Sequence, residues 1–155
     1  MTVKEGDLAP GFSKDDGHDC GKVLSSYFGS KNVVLYFYPK DDTPGCTKEA
    51  ENFRDMYPEF VGLNTAIVGV SKDSISSHEN FKKKYDLPFE LIADTEATLA
   101  KAYGVWVEKS MFGKSYMGIE RSTFLVDSSG SIRKIWRNVK VHGHADEVFR
   151  AVKDL

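Results

Sequence analysis

The chain has 155 residues, of which 41% are hydrophobic and 28% charged, a length and balance suited to one globular domain. A formal net charge of −2 gives no sign of a nucleic-acid partner, no apolar run approaches the ~18 residues of a membrane span, and Met1–Asp7 lacks the apolar core of a signal peptide. The two cysteines, Cys20 and Cys46, are too few for a disulfide framework; they point to a reducing, cytoplasmic setting and a chemical role for at least one.

No internal repeat, low-complexity tract or linker divides the chain, so residues 1–155 read as a single domain. Asp15-Asp16-Gly17-His18 reads as a turn between two short N-terminal strands. The apolar run Val33–Tyr38 predicts a buried strand. Behind it, Ala50, Phe53, Tyr57 and Phe60 recur at helical spacing and predict a helix over Thr47–Phe60. Thr65–Ser71 reads as a second buried strand. Ser74 to Tyr85 predicts a helix with Ser74 as N-cap and Ile75, His78, Phe81 and Tyr85 on one face. A short strand follows at Phe89–Ile92, then a helix capped by Asp94 and ended by Gly104. Trp106–Gly118 reads as a loop lying over something. Ser122–Asp127 and Ile132–Arg137 predict a hairpin, and Ala145–Leu155 a last helix burying Val148, Phe149, Val152 and Leu155.

Strand and helix alternate in the first part, which favours parallel pairing through right-handed crossovers, and the closing hairpin adds antiparallel strands. The expected class is therefore α/β, with a mixed central sheet flanked by helices and an N-terminal β-hairpin extension. A thioredoxin-like arrangement has this order and sets a reactive cysteine at the start of the helix after its first core strand.

Cys46 stands at that point, in Pro39-Lys40-Asp41-Asp42-Thr43-Pro44-Gly45-Cys46. The first turn of a helix has unpaired N–H groups and the positive end of the helix dipole, both of which favour an anion. Ionised sulfur is the reactive form. This is an address for a nucleophile, and a Thr-Pro-Gly turn is poor material for an inert core cysteine.

Pro39-x-x-x-Thr43-x-x-Cys46, extended through Thr47-x-Glu49-Ala50, together with Phe53-Arg54-Asp55, Gly104-Val105-Trp106 and Arg121-Ser122-Thr123-Phe124-Leu125-Val126-Asp127, resembles a peroxiredoxin of the bacterioferritin-comigratory (Q-type) subfamily, over nearly the whole chain. The resemblance implies a thiol-dependent peroxidase that reduces hydrogen peroxide and alkyl hydroperoxides through Cys46, with no metal, haem or flavin. It implies catalytic roles for Pro39, Thr43, Cys46 and Arg121, and more loosely for Glu49. It also implies a monomer or weak homodimer recycled by thioredoxin, glutaredoxin or a low-molecular-weight thiol.

Each residue type has a chemical reason. Sulfur must displace on oxygen while the site polarises the O–O bond and stabilises the leaving anion. Thr43 can accept from and donate to the reacting atoms. The backbone N–H groups of Gly45 and Cys46 can serve as anion donors. Pro39 closes the turn and shields the sulfur from bulk water. Arg121 offers a permanent charge with paired donors, which Glu49 can orient. Simpler roles stay open: an N-cap for Thr43, a surface charge for Arg121, a first-turn acid for Glu49. The apolar Trp106, Met111, Phe112, Tyr116 and Met117 can form a lid, a contact surface or plain packing.

Many members of the subfamily carry a resolving cysteine five residues after the first, where this chain has Glu51, or in the next helix, where it has Phe81 and Lys82 to Lys84. Cys20 is the remaining candidate. The expectation is a one-cysteine mechanism in which an external thiol reduces Cys46 sulfenic acid. Alternatives are Cys20 as an atypical resolving thiol, a disulfide reductase, a redox-sensing or holdase-like binding protein, and acyl transfer with His78 or His142 brought beside Cys46. The disulfide reductase is weakened by Thr43, which stands where a Cys-x-x-Cys pair needs its first cysteine. His142-Gly143-His144 has no acid or cysteine cluster to complete a metal site.

Overall fold

The computed structural model describes residues 3–12 and 23–155. After a short 3-10 turn at Ser25–Tyr27, the elements in chain order are β1 (Asn32–Phe37), α1 (Pro44–Gly62), β2 (Thr65–Ser71), α2 (Ile75–Tyr85), β3 (Glu90–Ala93), α3 (Thr98–Ala102), β4 (Trp106–Met111), β5 (Lys114–Ile119), β6 (Ser122–Val126), β7 (Ile132–Trp136) and α4 (His144–Lys153).

β1 is the middle strand of a five-stranded sheet ordered β3-β2-β1-β6-β7, parallel to β2 on one side and antiparallel to β6 on the other. Side chains alternate across a strand, so both faces of β1 must be covered. Val33, Leu35 and Phe37 enter one apolar cluster, with α3 and the N-terminal Ala9 and Phe12. Val34 and Tyr36 enter the other, with Phe53 and Phe60 of α1, Phe81 of α2 and Val148 of α4. That double burial is why the strand is a continuous apolar run rather than an alternating one. The α/β class, the mixed sheet and its flanking helices are as the sequence predicts.

Several local expectations are corrected. Trp106–Gly118 is not a loop but the β4–β5 hairpin, paired from Trp106↔Ile119 to Met111↔Lys114. Its two-residue turn puts Phe112 and Gly113 both at positive φ, the geometry that suits the twist of two strands. Leu155, expected to be buried, is exposed, as is Ile75, placed on the same face of α2 as the buried His78 and Phe81, and α4 begins one residue early at His144. Ser74 caps α2 as expected, accepting from Ser77 N at 3.1 Å. Asp94 caps α3 from a distance, accepting from Leu99 N and Ala100 N. The expected N-terminal hairpin falls largely outside the described residues. Residues 3–12 join the sheet at an antiparallel bridge, Leu8↔Ser131, with Gly6 N and Ala9 N donating to Ile132 O and Gly130 O and Ile132 N donating to Asp7 O. The expected turn at Asp15–His18 lies outside the described residues.

Candidate functional site

Where β1 ends, the chain turns through Pro39–Thr43 and re-enters the core as α1, which opens on Pro44-Gly45-Cys46. Proline suits a first helical position, where no N–H partner exists to be lost. Thr43 occupies the N-cap position but its side chain does not cap. Its hydroxyl instead donates to Lys40 O at 2.8 Å.

Cys46 is 3% exposed and packs in the cluster with Tyr36, Ala50 and Phe53. Burial alone would suit an inert packing cysteine, but its polar neighbour does not. Arg121, the residue before β6, reaches it because β6 runs beside β1 with Ser122 opposite Phe37. Arg121 Nη2 donates to Cys46 Sγ at 3.3 Å, and Nη1 donates to Glu49 Oε1 at 2.6 Å. Residues 46 and 49 share a face of α1, so one guanidinium spans both. Gly45 leaves the room: a Cβ there would lie 3.2 Å from Arg121 Nη2.

The floor of this site is electrically unusual. Burial pushes the Glu49 carboxyl up to about 7, against the pull of Arg121. Burial works against the Arg121 charge, but Glu49 and Cys46 hold it firmly protonated. Among the described residues Glu49 Oε2 and Tyr36 Oη are buried with no hydrogen-bond partner. Burial, with the charges of Glu49 and Cys46, holds the Tyr36 phenol protonated.

The loop before Cys46 is tied to α2 by buried charge. His78 Nε2 faces the Ile92 carbonyl at 3.0 Å and Nδ1 faces Asp41 Oδ2 at 2.7 Å. A carbonyl and a carboxylate only accept, so both nitrogens donate and the ring is an imidazolium. Asp41 also accepts from Tyr38 OH and Ser77 Oγ, and its own N–H donates to Asp73 Oδ2. Burial opposes both charges, yet the pairing prevails: His78 titrates above its ordinary value and Asp41 below. One residue on, Asp42 accepts from Lys84 Nζ and Tyr85 OH. Asp41, Asp73 and His78 lie within 4.8 Å of one another, as ligands of a cation would. An imidazolium has no lone pair to offer one.

Cys46, Glu49 and Gly45 thus meet around the one Arg121 guanidinium, while Thr43 stands at the N-cap of the same helix with its hydroxyl turned to Lys40 O. Pro39 is exposed and lines a cleft beside the β4–β5 hairpin. Cys20 lies outside the described residues. Among the described residues no histidine is hydrogen-bonded to Cys46, as acyl transfer would need. His78 is engaged with Asp41, His142 is exposed, and His144 is buried between Phe53 and Trp136 against Thr123 Oγ1. Burial drives the His144 ring down to about 4, so it is neutral. The roles of Asp41 and His78 are not evident from the sequence, where His78 reads only as one position on an apolar helical face.

The AhpC/TSA family model matches residues 6–135. Peroxiredoxin Bcp of Bacillus subtilis is 50% identical over 155 residues, covering 100% of this chain and 98% of that protein. Peroxiredoxin Bcp of Escherichia coli is 38% identical over 152 residues, covering 98% and 97%. Among solved structures, a cysteine-to-serine mutant of Xylella fastidiosa PrxQ superposes with a TM-score of 0.88 at 38% identity, covering 99% of this chain and 98% of that one. Xanthomonas campestris peroxiredoxin Q gives a TM-score of 0.81 at 47% identity, covering 84% and 82%. With sequence and fold agreeing over this length, the chain belongs to the AhpC/TSA family as a peroxiredoxin of the Bcp/Q type, a thiol-dependent peroxidase.

Proposed function

We propose that Cys46 is the peroxidatic thiol, acting in a one-cysteine cycle on hydrogen peroxide and alkyl hydroperoxides. The observation that carries this is the Arg121 guanidinium, which contacts Cys46 Sγ and is itself held by buried Glu49. The sulfur anion attacks the nearer peroxide oxygen, an S–O bond forms as O–O breaks, and the other oxygen leaves as hydroxide or alkoxide. Arg121 is in place to stabilise both the attacking and the leaving charge. Thr43, whose hydroxyl hydrogen is engaged by Lys40 O, accepts from the peroxide O–H. Gly45 keeps the arginine's approach open, and Pro39 shapes the mouth. The Xanthomonas campestris bacterioferritin comigratory protein, 46% identical over 84% of this chain, has alkyl peroxide reduction activity, which supports this substrate class.

The product is Cys46 sulfenic acid. Glu51 on α1 and Phe81 and Lys82 to Lys84 on α2 leave no thiol at the usual resolving positions, so an external thiol returns Cys46 to its reduced form: thioredoxin, glutaredoxin or a low-molecular-weight thiol. In this reading the chain is one peroxiredoxin domain over 1–155, working in the cytoplasm as a monomer or weak homodimer in antioxidant defence. No helix among the described residues is long and apolar enough to cross a membrane.

Stopped-flow oxidation followed by intact mass tests it, on wild type, Cys46→Ser and Cys20→Ser. Fast gain of one oxygen in wild type and Cys20→Ser, absent in Cys46→Ser, is expected. Loss of two hydrogens in wild type but not in Cys20→Ser would replace the one-cysteine cycle by a bridge to Cys20. A rate no faster than free cysteine would sink the peroxidatic role and favour a redox-sensing binding protein.

A further inference from the structure

Between the Cys46 loop and the β4–β5 hairpin lies a cleft of about 290 Å³, bordered by Pro39, Lys40, Lys72, Trp106, Lys109 and Tyr116. Three of these are lysines, and no acid lines the cleft. Among the described residues, none of the three has a carboxylate within 4.0 Å, although seven other ion pairs are formed. Lys72 Nζ instead rests 4.8 Å from the centre of the Trp106 ring. Lys109 lies across Gly118 of the facing strand, where an added Cβ would meet its Cδ at 3.3 Å. That missing side chain lets the lysine stem cross the hairpin. Lys109 is half-buried and close enough to the site for Arg121 and Cys46 both to act on it. Burial and the Arg121 charge weaken its hold on its proton, and Cys46 and Glu120, an acid outside the cleft lining, oppose them.

We infer that this cleft is a carboxylate subsite for the reductant, taking a low-molecular-weight thiol that bears one or more carboxylates and presenting its sulfur to oxidised Cys46. The inference rests on the proposed role of Cys46 as peroxidatic thiol. Charge bookkeeping over the cycle favours a thiol over a peroxide as the anionic guest. Peroxide arrives while the sulfur is anionic and serves as counter-charge to Arg121 and Lys109. Oxidation to sulfenic acid removes that charge, so the attraction of the cleft for an anion rises at the step when the reductant enters. The incoming thiolate attacks the sulfenic sulfur. An S–S bond forms, the S–O bond breaks, and hydroxide leaves as water after taking a proton. A second thiol attacks the mixed disulfide, which releases the oxidised thiol as its disulfide and restores Cys46. Two thiols lose two electrons and the sulfenic sulfur gains them.

The experiment pre-oxidises the full chain with one equivalent of hydrogen peroxide and follows loss of sulfenic acid by stopped flow. Mercaptosuccinate, 2-mercaptoethanol and cysteamine are compared at equal thiolate concentration, in wild type and in the double variant Lys72→Gln/Lys109→Gln. Wild type should prefer mercaptosuccinate over 2-mercaptoethanol by about fivefold at low salt, the scale of two partly exposed ion pairs. Cysteamine should be slowest, and salt should compress the ratios. The double variant should bring the three rates together, each protein's 2-mercaptoethanol rate being its own reference. Equal rates in wild type, or a preference that survives in the double variant, would overturn the inference. So would a variant that keeps its thiol preference but loses preference for a carboxylated hydroperoxide over tert-butyl hydroperoxide, because the subsite would then serve the oxidant. If peroxide never oxidises Cys46, the peroxidatic reading itself fails and the subsite falls with it.

Discussion

Beneath and behind Cys46 the protein places charge inside its core; above it, on the β4–β5 hairpin, it leaves lysines and large apolar side chains in solvent. The Glu49 and His78 side chains are 2% and 4% exposed, and each is held by an opposite charge. On the hairpin Phe112 is 96% exposed, and Met111, Tyr116 and Met117 are also open to water. Buried charge fixes geometry, because every departure leaves a charge unpaired. Exposed charge sets which molecules approach and costs little to change. The buried side is thus held to one geometry, and the exposed side is not.

The hardest test of the buried side is His78→Leu, which strands the Asp41 carboxylate and should cost about 3–5 kcal/mol in denaturant unfolding. His78 titrates above its ordinary 6.5, so its stabilisation is complete below 6.5 and is lost as pH rises through the raised value. The deficit of the variant should therefore be greatest near pH 6 and shrink in alkali; a deficit that grows with pH would show that the ring is neutral.

Arg121→Gln comes next. It should slow peroxide reduction by about 10²–10³, the scale for removing one preorganised donor to a developing oxyanion. A stopped-flow rate within threefold of wild type would move Arg121 out of the chemistry.

Glu49→Gln should pull stability and rate in opposite directions. With its folded value about 7 against an ordinary 4.5, Glu49 contributes stability below 4.5 that is lost as pH rises through 7. Glutamine mimics the protonated form. The variant should gain on wild type across that window, by at most about 3 kcal/mol at pH 8, while its peroxide rate falls because Arg121 has lost its anchor. Equal pH–stability curves would mean that Arg121 holds the carboxylate ionised throughout.

Smallest is Phe112→Ser on the exposed turn. Unfolding should stay within about 0.5 kcal/mol of wild type and the hydrogen peroxide rate should not move. A larger cost would show that the hairpin tip is covered by something in solution.

The same divide explains what could be read from the sequence. Cys46, Thr43, Glu49 and Arg121 stand out in the sequence because peroxide chemistry would need those residue types and one helix start carries three of them within two turns. β1 and β2 were legible because burial on both faces makes an unbroken apolar run. The hairpin was not. Its strands are solvated over most of both faces, so Val107, Glu108, Lys109 and Ser110 show no alternation, and its turn has Phe112 at positive φ where Asn or Asp is usual. Nor was the His78–Asp41 pair, whose members are 37 residues apart. A histidine among apolar neighbours on a helix gives no hint that a carboxylate from another loop will meet it.

The Thr43 hydroxyl has one hydrogen, and Lys40 O has claimed it. What the threonine turns towards an incoming molecule is therefore lone pairs alone, a lock that only a hydrogen-bearing key can turn. Hydrogen peroxide and any monoalkyl hydroperoxide carry such a hydrogen on oxygen, whereas a dialkyl peroxide, with the same weak O–O bond, has none. In the cycle proposed above, the Lys40 carbonyl would thereby sort oxidants by whether they still own a proton, before bond strength or size is consulted.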